Sequence, residues 1–561
     1  MKIVSFLFFI SINLTAFSQL GPAVEQTIHS EELSKTITID VSQNEIDQLI
    51  DMQEQSKGKN VVFPVGKLIS VDIDMMLSAQ WSFDEFENRI GKLKIHSSGA
   101  TGIGAYFSEF FLPIGSKLYA YTPSHKEVIG PFGFVDNPKN EKFSSGTVNG
   151  NEIVLEVFIP KGVSSLPKLK IRHLGYERNL SKIKNANRDF GDSKDCQVNV
   201  LCEEGDDWKD NKNAVVRIKM VFGGFESWCS GTIMNNTYQD CTPYILTADH
   251  CRHLSTGEIA KENEYDNWEF YFNYESTKCR NPSNEGDVTI AKMTGCTRKA
   301  SSENGGEGDP DFLLLRLNNS IPQFYNPHFA GWDRRNVASE NGVMIHHPAG
   351  DIKKISTYIR QVESSEWNGD LIKNSHWKLI WTKTKNGFGS SEGGSSGSAL
   401  WNQDKRVVGQ LTGGSSACEE GNGTGPFNPD YFGKLHSSYT MDMSDTTKNL
   451  EYWLDNGRNK PQFIDGINWP CSEQALSNGH AIITKEIISM FPNPADKLVT
   501  ISSIGKPHFQ LVVFDVLGNK IVDLKVNEEK IKLDVSNWPT GIYVVNSIWN
   551  NSKVSQKLIV K

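Results

Sequence analysis

All nine cysteines of this 561-residue chain lie at position 196 or later. A cysteine-free stretch followed by a cysteine-bearing one points to an oxidising destination and to regions built on different principles. Within the first, residues 19 to about 190, the runs AYFSEFFLP, KLYAYTP and NEIVLEVFIP alternate apolar and polar residues between Gly, Pro and Asn turns. That pattern predicts an all-β domain. It ends in SKIKNANRDFGDSKD, polar, Lys-rich and without apolar periodicity, the composition of an exposed, cleavable linker. From Cys196 to about Gly466 short runs such as AVVRIKMVF, PYILTAD, WEFYFNY and RVVGQL are spaced by Gly-rich turns, which predicts paired β-barrels. Near its end, Asp445 is placed to cap a helix over TTKNLEYWLD, with Leu450, Trp453 and Leu454 on one face. After Cys471 a polar connector leads to FPNPADKLVTIS, QLVVFDVLGNKIVDL and PTGIYVV, a compact third domain of alternating strands. The expected fold class is mostly β.

The N-terminus, MKIVSFLFFISINLTAFSQ, has one Lys, an apolar stretch and small residues Ala16 and Ser18 before Gln19, which predicts an export signal over residues 1–18. Asn13, Thr15 and Ser18 interrupt it too early for a bilayer span, so no transmembrane anchor is expected. A hydrophobic content of 38% over this length fills several cores. The net charge of −9, with no long Lys/Arg block, excludes nucleic acid as a partner. There is no paired CxxC and no HExxH, so neither a metal nor another cofactor is expected.

Three strings carry chemistry: TADHC ending at Cys251, DPDFLLLRL over 309–317, and GGSSGSALW over 393–401. Amide hydrolysis needs a strong nucleophile, a base and donors aimed at the developing oxyanion. Ser396 is the candidate nucleophile, because Gly394 and Gly397 let the chain turn so that the amides of Gly394 and Ser396 face one oxygen. His250, at the end of the apolar strand PYILTA, is the candidate base. Asp311, where FLLLRL begins, is the candidate carboxylate that orients it, with Asp309 as competitor. The order His, Asp, Ser matches chymotrypsin-type enzymes, whereas an α/β-hydrolase elbow would need Gly two residues after the nucleophile, where Ser396 is followed by Ser398, and its acid and base would follow the serine rather than precede it.

On these strings, with AGWDRRN, IHHP, RVVGQL and QFIDG, residues 196–467 resemble the bacterial lysyl endopeptidases, a branch of the chymotrypsin-like serine proteases. The resemblance implies a chymotrypsin-like double β-barrel and the disulfides Cys196–Cys418, Cys202–Cys279 and Cys229–Cys251. Cys241–Cys296 then follows by elimination, leaving Cys471 unpaired. It also implies that Asp430 in NPDYFGKL selects lysine at P1 and that Trp367 lies near the pocket. In the substrate strand QLTGG, Thr412 stands before Gly413 where the relatives have a His, and Asp249 precedes the base.

The strings SSGATGIGAYFSEFFLP and GPFGF resemble the pro-region ahead of such proteases, which implies a zymogen. Residues 487–561, through FPNPA, VVFDVLGNK and QKLIVK, resemble the type IX secretion sorting domain of Bacteroidetes. That resemblance implies a small β-sandwich, the type IX machinery as partner, and an extracellular or surface-attached product. The expected organisation is signal 1–18, pro-domain 19–190, protease 191–468, linker 469–486 and sorting domain 487–561. A monomer acting on proteins or peptides with lysine at P1 is expected. Two readings compete: broader, arginine-tolerant cleavage with Asp430 facing solvent, and an inactive adhesin on a protease fold. Self-cleavage at Lys182, Lys184 or Lys194 would release the enzyme.

Overall fold

The computed structural model describes residues 36–56, 60–178, 193–282, 291–367, 372–421, 423–471, 488–492, 494–503, 509–515, 520–528, 530–549 and 552–561. The expected signal segment, Lys182, Lys184 and the boundary near 190 lie outside these residues.

Residues 36–178 form two β layers over a core that includes Leu93, Ile103, Phe110, Leu155 and Ile171. The first layer runs through Thr36–Thr38, Arg89–His96, Glu152–Ile159, Lys117–Tyr121 and Val128–Phe132. The second is built from Pro64–Asp74, Lys168–Glu177, Gly102–Phe111 and Phe143–Asn149. The region is not purely β, because Gln43–Ser56 forms a 14-residue helix. Its apolar positions are too few for the helical period to stand out beside the strand runs, yet Leu49 and Met52 are buried, and they join the protease core rather than their own domain's.

The protease region consists of two β-barrels. In the first, the sheet order is Ala291–Thr294, Glu269–Phe272, Val215–Phe222, Phe225–Met234, Tyr244–Ala248, Phe312–Leu317, Cys296–Ser301. Its two ends, Ala291–Thr294 and Cys296–Ser301, are consecutive in the chain, so the sheet curls on itself. The second runs from Val198–Asn199 through Lys354–Tyr358, Gly342–His346, Ala399–Asn402, Val407–Gly414, Asp430–Lys434 and His376–Leu379 to Glu363–Ser365. It closes where the Thr382 N–H donates to Thr357 O at 2.8 Å. Buried Ala330, Trp332, Val343 and Ala399 share one core with the first barrel.

The expected terminal helix is shorter than its pattern. Asp445 does accept from Thr447 N, but the chain makes a 3₁₀ turn over Thr446–Lys448 and a single helical turn over Glu451–Leu454. Leu450 and Leu454 are buried and Trp453 is partly so.

Three bridges form as the resemblance implies: Cys196–Cys418, Cys202–Cys279 and Cys229–Cys251. The fourth expectation, Cys241–Cys296, is corrected. Cys241 joins Cys471, and Cys296 is a buried free thiol at the start of a barrel strand, opposite Leu317. Elimination fails because the protease does not end before Cys471. The strand Ile467–Asn468 pairs with His328–Phe329 and the Trp469 N–H donates to Pro327 O, so the chain stays on the barrel long enough to reach Cys241.

The C-terminal residues form two facing sheets, Ile488–Phe491, Leu498–Ser503 and Lys530–Asp534 against Lys520–Val526, Phe509–Asp515, Gly541–Trp549 and Ser552–Val560. Val499, Ile501, Leu511, Val513 and Val545 fill the space between. Among the described residues no helix is long and apolar enough to cross a membrane.

Candidate active site

Strand register brings the candidate base and acid together. In the antiparallel pair Tyr244–Ala248 with Phe312–Leu317, Ala248 lies opposite Phe312, so the residues just beyond, Asp249 and Asp311, also meet. The Asp249 N–H donates to Asp311 O at 3.0 Å. A 3₁₀ turn over Asp249–Arg252 then swings His250 back over Asp311. One Asp311 oxygen accepts the His250 backbone N–H at 2.9 Å, and the other lies 2.8 Å from Nδ1. A carboxylate there requires the proton on Nδ1, which leaves Nε2 free to accept. Both residues are buried, and Asp311 sits at φ 57°, a left-handed conformation that Asp tolerates better than most residues.

Asp309, the competitor, serves Asp311 instead: it accepts the Asp311 N–H at 2.8 Å and the Asn304 N–H at 3.1 Å. Burial first, and the Asp311 charge next, push Asp309 up to about 6. Asp249 points away from the imidazole and takes Arg252 Nε at 2.6 Å, His253 Nε2 at 3.2 Å and the Gly305 N–H at 2.8 Å. Burial, the largest influence on Asp249, raises it. The His253 hydrogen bond and the Arg252 charge outweigh burial and hold the carboxyl below its usual range. Its role is to build the turn that carries His250.

The Ser396 loop is a structured turn. Gly397 at φ 80° packs so closely on the base strand that a Cβ there would stand 2.1 Å from Thr247 Oγ1 and 2.6 Å from Ala248 N. Ser230 fastens the loop twice, its N–H donating to Ser396 O at 2.9 Å and its hydroxyl to Gly394 O at 2.8 Å. Gly394 has φ 94°, and the Ala349 N–H holds the preceding carbonyl, Gly393 O, turned away at 2.6 Å. Among the described residues the amides of Gly394 and Ser396 have no acceptor, whereas the Ser395 N–H closes the turn on Glu392 O at 2.9 Å. The two open amides are those named from the sequence. The Ser396 hydroxyl makes no hydrogen bond to His250 in this structure, a separation common in enzymes without substrate.

Sequence reasoning missed the supports of this loop. Ser230 gave no signal beyond standing beside Cys229. His346 lies in IHHP without an obvious role, yet its Nδ1 pairs with Ser395 Oγ at 2.8 Å and its Nε2 with Ser356 Oγ at 3.2 Å. Burial, with Lys354 adding, pushes His346 down to about 3, so it stays a neutral bridge at neutral pH.

Asp430 is fully buried beneath the substrate strand. Its carboxylate accepts from Trp381 Nε1 at 2.7 Å, Ser416 Oγ at 2.6 Å and Ser416 N at 3.2 Å. Gly414 permits this approach, since a Cβ there would lie 2.0 Å from Asp430 Oδ1. Among the described residues only neutral donors act on it, and burial raises its pKa. Trp367 lies over the neighbouring glycine, with ring atoms 3.2 Å from a Cβ built on Gly413, and tilts against Tyr431. Thr412 is buried, its hydroxyl 3.0 Å from His376 Nε2. An imidazole thus still reaches this position, delivered from His376–Leu379, the strand beyond Asp430–Lys434. Among the described residues no group of three or more His, Cys, Asp or Glu is arranged to hold a metal ion.

One segment of the N-terminal domain reaches this cleft. Asn60 Nδ2 donates to Gly305 O at 2.7 Å, and its Oδ1 lies 3.7 Å from a Cβ built on Gly413.

Two β-barrels that meet at a histidine, an aspartate and a Gly/Ser turn with open amides define a serine protease of the chymotrypsin-like class. Residues 190–433 match the family model described as lysyl endopeptidase, C-terminal domain, and residues 489–561 match the secretion system C-terminal sorting domain. The protease region is thus similar to the lysyl endopeptidase family over residues 190–433, and the tail marks the chain for type IX export to the cell surface or beyond.

Similar solved structures include the thermostable serine protease AL20 from an extremophilic microorganism, at 14% identity over 40% of this chain and 92% of that one, TM-score 0.26. A Glu endopeptidase follows at 19% identity over 44% and 94%, TM-score 0.26. Overlaps this loose bear on neither substrate nor mechanism. Among curated proteins, the ulvan lyase NLR42 of Nonlabens ulvanivorans is 28% identical over 38% of this chain and 41% of its own length. An endo-acting ulvan lyase of Formosa agariphila is 33% identical over 16% and 17%. The chain therefore spans about two fifths or less of the curated relatives it matches, and the activity in those names is theirs.

Proposed function

We propose that this chain is the zymogen of an exported endopeptidase that cleaves on the carboxyl side of lysine. In this reading His250 Nε2 takes the Ser396 proton as Oγ attacks the scissile carbonyl, and Asp311 steadies the resulting imidazolium. The amides of Gly394 and Ser396 receive the oxyanion. The imidazole proton passes to the leaving amine, and water, deprotonated by the same imidazole, then hydrolyses the acyl-enzyme. No metal or organic cofactor enters the sequence of steps.

The observation that supports the specificity best is Asp430: a buried carboxylate held by neutral donors and, among the described residues, without a cation beside it, under the strand that carries Thr412 and Gly413. Such a site favours a substrate ammonium over neutral side chains. Trp367 over Gly413 walls the approach. Zymogen character is supported by Asn60, which stands where a substrate backbone would run beside Gly413. The organisation is that given above, with the protease extended to Cys471.

A digest of denatured proteins by the processed enzyme, read by mass spectrometry, tests this. New C-termini should be almost all lysine. Equal cleavage after arginine would move the assignment to the broader specificity, and absence of cleavage would remove it.

A further inference from the structure

The Gly394 amide can face an oxyanion only while the planar peptide between Gly393 and Gly394 keeps one of its two orientations; turned over, it would offer the Gly393 carbonyl instead. The group that fixes it is the Ala349 N–H, 2.6 Å from Gly393 O. Where that N–H points depends on the short loop His347–Asp351, whose backbone is left-handed at Ala349, φ 56° and ψ 18°, and at Gly350, φ 70°. Alanine does not rest in that region unaided, so the loop has to be held there.

Two supports hold it, and both rise from one place in the first barrel. Arg217 and Ser230 face each other across the strand pair Val215–Phe222 with Phe225–Met234. The Ser230 hydroxyl accepts the His347 N–H at 2.9 Å, and Arg217 Nη1 donates to Gly350 O at 2.7 Å. Aromatic rings keep Arg217 on that carbonyl. Its guanidinium is wedged among three of them, 4.2 Å from the centroid of Trp228, 4.3 Å from that of Tyr271 and 3.7 Å from that of Tyr274. The loop backbone rests on the same cage, since a Cβ on Gly350 would stand 2.7 Å from the Trp228 indole.

An arginine on the outer side of a barrel strand ordinarily extends its head into water. This one is only 8% exposed, and it is buried against the carbonyl of the residue that follows the peptide-setting N–H. We propose that Arg217 is a positioning residue for the oxyanion hole. It pins Gly350 O, the pinned loop keeps the Ala349 N–H on Gly393 O, and the Gly394 amide stays turned into the hole. Without it the loop relaxes from its left-handed shape, and the hole is formed in only a fraction of molecules at any moment. This inference rests on the reading of Ser396 as nucleophile and adds a residue of the first barrel to its machinery.

The test compares the processed parent with Arg217→Met, which keeps an apolar chain among the rings and removes the donor. Outright loss of one oxyanion donor costs about 10² to 10³ in kcat. Loosening it by way of the loop should cost about 10- to 100-fold in kcat on a lysyl anilide, with KM held within about threefold because Asp430 and Gly413 are untouched. A peptide aldehyde ending in lysinal forms a tetrahedral adduct with its oxyanion in the hole, so it should lose affinity by the same factor. The matching lysinol forms no adduct and should keep its affinity. Should Arg217→Met not fold, Arg217→Gln, too short to reach Gly350 O, enters the same assays. A folded variant with kcat within about threefold of the parent would overturn the inference. So would lysinal and lysinol weakened alike, the mark of a purely structural role. A parent that hydrolyses no lysyl substrate and takes no fluorophosphonate at Ser396 would remove the protease reading and this inference with it. An active parent indifferent to Arg217 removes this inference alone.

Discussion

Replacing Asp430 by Asn isolates the charge thought to choose lysine. The carboxylate is fully buried and spends its lone pairs on Trp381 Nε1, Ser416 Oγ and Ser416 N, all donors. A lysine ammonium near 4 Å from it gains about 4 kcal/mol at an effective dielectric of 20. Leaving such a cation buried without its partner costs roughly 3 to 5 kcal/mol. At about 1.4 kcal/mol per decade, kcat/KM for a lysyl peptide should fall by about two to three orders of magnitude. The same peptide with norleucine at P1 should change by less than about threefold, since it never used the charge. The Asn amide would also face the donors at Ser416 and Trp381, so a modest drop in Tm should accompany the loss. The assay is kcat/KM on the peptide pair, with matched circular dichroism. A variant that keeps its lysine-to-norleucine ratio within threefold of the parent would refute the assignment of Asp430.

Other expectations are as direct. Burial raises the Asp430 pKa, so lysine preference should fade on acidification at a higher pH than an exposed aspartate would impose, measured as the same ratio across pH. Asp311→Asn should cut kcat by about 10⁴ with little change in fold, because the imidazole loses its orienting anion. Peptide mapping without reduction should find Cys241 joined to Cys471, and Cys471→Ser should cost about 2 to 5 kcal/mol in unfolding experiments while Cys296→Ser keeps every bridge.

Much of this was legible because the site is assembled at strand ends. The run PYILTA before His250 and FLLLRL after Asp311 are apolar strands, and once they pair, register alone puts base and carboxylate side by side. The Gly394 and Gly397 pattern likewise encodes a turn that only positive φ allows. What remained hidden depends on long-range contact. Cys296 and Cys471 look alike in sequence, and only the path of Ile467–Asn468 along His328–Phe329 decides which one reaches Cys241. Ser230 is fixed by contact across to the second barrel, His346 and Trp381 by long-range contacts within it, and none of the three carries a local signature. Helix Gln43–Ser56 was invisible because its buried residues serve the neighbouring domain. The same holds for Lys219 and Glu226, whose burial depends on the N-terminal sheet laid over the barrel strands that carry them.

The account depends most on Ser396 being a nucleophile activated by His250. Treatment of the processed protein with a fluorophosphonate, followed by digestion and mass spectrometry, measures this directly. A single adduct on the peptide that holds Ser396, lost in His250→Ala, is the predicted result. An adduct elsewhere, or one that survives His250→Ala at the same rate, would contradict it.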